Sequence, residues 1–100
     1  MTVSTQKEKT RLTVKVDGKL GTTAAPELEK AIRNNIFSIT ELVLDLEKVD
    51  YIASAGLRVI LSAAKTMRKQ GSMKIVHVTP NVMEVFAFTG LASALEIEEL

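Results

Sequence analysis

The chain has 100 residues, of which 46% are hydrophobic and 25% charged, with a formal net charge of +1. That is enough apolar material for one buried core, fits one compact domain and argues against disorder. A near-neutral chain with 4% aromatic residues and no Trp lacks the clustered basic surface and stacking platforms of a dedicated nucleic-acid binder, and the absence of Cys excludes disulfides and thiolate metal sites.

In chain order, residues 1–10, MTVSTQKEKT, are polar and mixed in charge, which predicts a loose N-terminal tail ahead of a domain over 11–100. They contain no apolar signal segment, and no later run approaches the roughly 20 apolar residues of a membrane helix. No membrane insertion and a cytoplasmic location are therefore expected. RLTVKVDGKL then alternates, with Leu12, Val14 and Val16 on one face, as a half-buried strand does. Asp17-Gly18 signals a two-residue hairpin turn, with a short return strand at Lys19-Leu20.

The period changes in TTAAPELEKAIRNNIF, where Leu28, Ile32 and Ile36 recur every four residues. Pro26 belongs in a first helical turn, which puts the helix start near Thr23 as cap, and Asn34-Asn35 marks its end. ELVLDL reads as a strand buried on both faces, with Asp45 near its C-terminal end, where open α/β sheets gather ligands. The segment from Ser54 is an amphipathic helix: Leu57, Ile60, Leu61, Ala64 and Met67 form one stripe, Arg58, Ser62, Lys65 and Lys69 the opposite one, and Gly71 the stop. SMKIVHV is a further strand, and Thr79-Pro80 opens a helix that ends at Gly90. ALEIEEL fits a last short strand or a frayed helix. The resulting order, β-β-α-β-α-β-α, defines an α/β domain with a small mixed sheet packed with helices.

The chemistry narrows to one hydroxyl. A nucleophile elbow needs Gly two residues before its Ser, and Ile52 stands there before Ser54. The one His, His77, lies inside a strand pattern, and there is no Walker-type loop, kinase signature or zinc-binding set. No catalytic residue, metal or cofactor is expected. Ser54 itself has two compatible readings. Ser is a preferred N-cap, and a helix N-terminus also accommodates a phosphate, because free amides and the positive end of the dipole face it. Small neighbours, Ala53, Ala55 and Gly56, leave the hydroxyl open to another protein's active site.

LVLDLEKVDYIASAGLRVIL resembles the central motif of STAS domains, especially those of bacterial anti-sigma factor antagonists. GKLGTTAAPELEKAI is similar to their early G-x-L segment, and VMEVFAFTGLASAL to their late apolar helix with its Gly-Leu. The resemblance implies a STAS-like fold and a partner-switching role. The unphosphorylated antagonist binds an anti-sigma factor that is also a serine kinase and releases a sigma factor. Phosphorylation of the serine, at Ser54 here, ends binding, and a serine phosphatase resets the cycle. The sequence departs from the family pattern where many members carry Asp, at Ala53 and at Gly21, which leaves Asp45 as the expected acidic neighbour of Ser54.

Two alternatives stand beside this reading: a STAS scaffold subunit of a transporter or lipid-handling complex, with Ser54 only a cap, and a small nucleotide-binding module. The expected partner surface comprises Ser54, Arg58, Ser62 and part of the helix 81–89. There Val82, Met83, Val85, Phe86, Ala87 and Phe88 cover more than one helical face, and Met83, Ala87 and Phe88 are expected to include exposed positions.

Overall fold

The computed structural model describes residues 2–90 and 95–100. Strand β1 (Thr2–Glu8) runs antiparallel to β2 (Arg11–Asp17), with Glu8 opposite Arg11. The loose tail expected over residues 1–10 is thus an edge strand over Thr2–Glu8. Its only apolar residue is Val3, half-buried opposite Val16; backbone pairing, not side-chain burial, holds it. The opening hairpin exists, but it turns at Lys9-Thr10, where Lys9 takes a φ of 57°. Asp17-Gly18 ends β2 instead, and no return strand forms. Gly18, at φ 114°, donates to the Lys48 carbonyl (3.1 Å), and Leu20 makes a single parallel bridge to Ile52.

Strands β3 (Glu41–Lys48), β4 (Ser72–Val78) and β5 (Glu96–Glu99) follow, each parallel to its predecessor, so the sheet order is β1-β2-β3-β4-β5. The C-terminal segment is therefore a strand. Helices α1 (Ala25–Arg33), α2 (Ser54–Gln70) and α3 (Pro80–Thr89) make the crossovers. Consecutive parallel strands joined by crossovers of one hand put every helix on the same face. Packing agrees: Leu28 and Ile32, Ile60 and Met67, Val82 and Phe86 join Leu12, Val14, Leu42, Leu44 and Ile75 in one core cluster. The intervening residues point the other way. On that face Val43 lies in register between Thr13 and Lys74, and Asp45 between Lys15 and Val76.

Helix α1 begins one residue later than expected, with Ala24 rather than Thr23 at the cap and Pro26 in its first turn, and ends at Asn34. The buried stripe of α2 is Gly56, Val59, Ile60, Ala63, Ala64 and Met67, rotated from the expected one, which leaves Leu61 about half exposed. Gly71 does stop α2, for a steric reason. A Cβ there would lie 1.9 Å from the Thr40 carbonyl oxygen, which accepts the Ser72 amide at 2.9 Å. Gly90, in the left-handed conformation at φ 79°, closes α3; Leu91, the second residue of the Gly-Leu motif, lies outside the described residues.

Three glycines should separate in a denaturant series. Gly71→Ala, which collides with backbone, should lose about 3 kcal/mol or more. Gly56→Ala, whose Cβ would meet Leu20 Cγ at 2.8 Å and Leu20 O at 2.9 Å, should lose about 1–3 kcal/mol. Gly21→Ala, with only the Tyr51 ring at 3.7 Å, should stay within about 0.5 kcal/mol of wild type. Equal urea midpoints for all three would contradict this packing.

Candidate functional site

Three backbone hydrogen bonds set the position of Ser54. Gly18 N–H reaches Lys48 O at 3.1 Å, Leu20 N–H reaches Tyr51 O at 3.0 Å, and Ala53 N–H reaches Leu20 O at 3.0 Å. They extend the β2–β3 pairing past the strand ends and deliver the chain to α2 at a fixed angle. Leu20 is fully buried, and Gly56 packs directly over it, which seats the first turn of α2 against the core.

In that turn Ala53 occupies the N-cap position, with extended φ and ψ of −105° and 172° and no side-chain cap hydrogen bond. Ser54 is the first helical residue and is exposed. Its hydroxyl makes no hydrogen bond among the described residues, so the capping role compatible with the sequence is not the one it plays. The first intrahelical bond comes from Leu57 N–H to Ala53 O (3.1 Å), so the amides of Ser54, Ala55 and Gly56 precede it. An exposed, unengaged hydroxyl therefore stands at the positive end of a 17-residue helix.

The surroundings divide the expected site residues. Ala55, Arg58 and Ser62 share a depression of about 540 Å³ with Thr22 and Pro26, between the N-terminal halves of α1 and α2. Ala53 is half-buried beside it and Gly56 is buried beneath. Met83 lies elsewhere, in a depression of about 330 Å³ with Pro80, Glu84 and Leu100. On α3, Val82 and Phe86 are buried, Met83 and Val85 half-buried, and Ala87 and Phe88 exposed, Phe88 at 92%. The surplus apolar residues of this helix do reach solvent, and the depression that holds Met83 and Ala87 is lined by neither Arg58 nor Ser62.

Asp45 is not brought to Ser54. It alternates with Leu44 and Leu46, which are fully buried among the helices, so its side chain lies on the opposite face of the sheet. There Asp45 Oδ1 accepts the Glu47 amide at 3.0 Å and meets His77 Nδ1 at 3.1 Å. The sequence reading erred because the face an inward-reading strand residue takes depends on where the helices lie.

Sequence reasoning also missed residues next to the site. Tyr51, half exposed three positions before Ser54, has the Lys19 ammonium 5.9 Å from its ring centroid. Thr22 lines the depression with Arg58. Tyr51 was detectable as the single Tyr of the chain in the loop that leads into the helix. Charge adds a further feature. Arg58, Lys65, Arg68 and Lys69 are exposed on α2, that helix contains no Asp or Glu, and none of the four cations is ion-paired among the described residues.

The STAS domain family model matches residues 2–99, and the chain belongs to this family. The protein named as anti-sigma factor antagonist BtrV of Bordetella bronchiseptica is 46% identical over 57 residues, which are 56% of this chain and 49% of that protein; the chain thus spans about half the length of this relative. The anti-sigma-B factor antagonist of Bacillus subtilis is 26% identical over 96 residues, 95% of this chain and 88% of that protein. The crystal structure of an anti-sigma factor antagonist from Mycobacterium paratuberculosis aligns with a TM-score of 0.89 at 25% identity, covering 99% of this chain and 86% of that one. No helix among the described residues is long and apolar enough to cross a membrane.

Because Ser54 makes no cap bond, Ser54→Ala should shift stability by less than about 0.5 kcal/mol, against the ~1 kcal/mol of a capping serine. Thr79→Val is the positive control. Thr79 stands at the N-cap of α3, but its hydroxyl donates to the Val49 carbonyl at 2.7 Å, and losing that bond should cost about 1 kcal/mol. Thermal melts of both variants check the contrast.

Proposed function

We propose that this chain is an anti-sigma factor antagonist that works by partner switching in the cytoplasm, with Ser54 as its phosphate acceptor. In this reading it is a binding regulator and a kinase substrate rather than an enzyme. Unphosphorylated, it binds an anti-sigma factor that is also a serine kinase, and a sigma factor is released. Phosphorylation of Ser54 by that kinase ends binding, and a serine phosphatase restores it. The observation that carries the reading is the exposed Ser54 hydroxyl, unengaged by the fold, on the first turn of α2. The names of the relatives support it.

A phosphate on Ser54 adds about −1.5 to −2 charges at a helix N-terminus, where an exposed anion is favoured by about 0.3–1 kcal/mol, so the fold tolerates it. Partner binding does not. The phosphate has to be desolvated against a surface fitted to a neutral hydroxyl. It also stands one helical turn from Arg58, an i,i+4 neighbour, and draws to itself a cation otherwise open to a partner. A loss of about 4 kcal/mol weakens affinity nearly a thousandfold, enough to exchange partners.

Calorimetric titration of wild type, Ser54→Ala, Ser54→Asp and the phosphorylated protein against the candidate kinase tests this. Wild type and Ser54→Ala should bind alike. The phosphoprotein should bind about a thousandfold more weakly, and Ser54→Asp should fall between because it carries less charge. Equal affinities for all four would reduce Ser54 to a bystander and favour the scaffold role in a transport or lipid-handling complex.

A further inference from the structure

The sheet face without helices carries a second side-chain cluster, independent of the Ser54 reading. Asp45 and Glu47 are two residues apart on β3 and point to the same side. His77 joins them from the adjacent β4. The register of β4 against β5 shifts between Ile75 and Val78, and within this irregularity His77 adopts a φ of 56°. One ligand atom from each of the three residues lies within 4.8 Å of the others. Asp45 is buried, while Glu47 and His77 are exposed. Asp45 and Glu47 also line a depression of about 410 Å³ with Ser4, Lys15 and Lys48, which gives an ion and its waters an approach from solvent.

We infer that Asp45, Glu47 and His77 form a binding site for a divalent first-row transition-metal ion, held by two carboxylates and one imidazole with its remaining positions open to water. The donor types suit such ions: imidazole selects against magnesium and calcium, and carboxylates supply the charge. The spacing suits them too. The 3.1 Å between Asp45 Oδ1 and His77 Nδ1, spanned by a hydrogen bond, is short enough for both atoms to reach one ion about 2.1 Å from each. Lys15, beside Asp45 in register, and Lys48 face the same depression without an ion pair to either carboxylate. Their charge opposes an incoming cation and is offset in part by Asp17 in the same depression. The site occupies the C-terminal ends of β3 and β4, from which the Ser54 loop and α3 depart.

The test is isothermal titration of the untagged 100-residue chain with nickel chloride and with zinc chloride. The chain has one His and no Cys, so imidazole binding has a single source. One ion per chain should bind. His77→Asn, which tolerates the left-handed backbone but has no imidazole, should weaken binding at least tenfold. Glu47→Gln, at an exposed position that the fold does not need, should weaken it several-fold. Lys15→Gln should tighten it several-fold, and Ser54→Ala should leave it unchanged. Absence of saturable binding by wild type overturns the inference, as does equal affinity in His77→Asn or, should that variant fail to fold, in Glu47→Gln.

Discussion

The rest of the structure depends on the clamp at Leu20. A strand that ends at Asp17 normally releases its chain to a loop, and the next crossover helix then starts wherever packing allows. Here Leu20 donates to Tyr51 and accepts from Ala53, while its side chain fills the core beneath Gly56. Two non-adjacent segments are tied at the point where α2 begins. A Cβ at position 56 would press on Leu20, 2.8 Å from its Cγ and 2.9 Å from its carbonyl oxygen. The exposed serine two residues earlier thereby stands on the first turn of a packed helix, tied to β2 through Leu20.

Placing all helices on one side of the sheet separates two kinds of surface. The helix side offers Ser54, the depression with Arg58 and Ser62, and a cationic α2 without acidic residues. The open side offers a sheet floor with carboxylates, lysines and His77. The formal net charge of +1 conceals this, because the cations of α2 are balanced in part by Glu96, Glu98 and Glu99 at the far edge strand. Of these, Glu98 pairs with Lys74 at 3.7 Å, whereas the α2 cations remain unpaired among the described residues. Unpaired charge on an otherwise well-packed helix supplies steering for an acidic partner surface more than it supplies stability.

What was legible in the sequence was what side-chain pattern encodes. The alternation of Leu12, Val14 and Val16, the apolar run of β3 and the glycine after α2 each located an element, and the segment around Ser54 located the start of α2. What was not legible was encoded elsewhere. β1 has a single apolar residue and pairs through its backbone, so it leaves no period to read. The Asp17-Gly18 signal was a real demand for positive φ, used to leave the sheet rather than to reverse within it. The stripe of α2 was misjudged by part of a turn because Gly56 and Ala63, small residues without apolar weight, form the contact side while Leu61 faces out. Asp45 went to the far face for a topological reason that no local window contains.

The proposed regulatory phosphate on Ser54 is tested most directly on protein isolated from its native host. Intact-mass measurement followed by peptide fragmentation should find a fraction of the chain heavier by one phosphate, localised to Ser54, with that fraction changing when growth conditions change. Unmodified Ser54 under every condition, or a phosphate confined to another residue, would contradict the account.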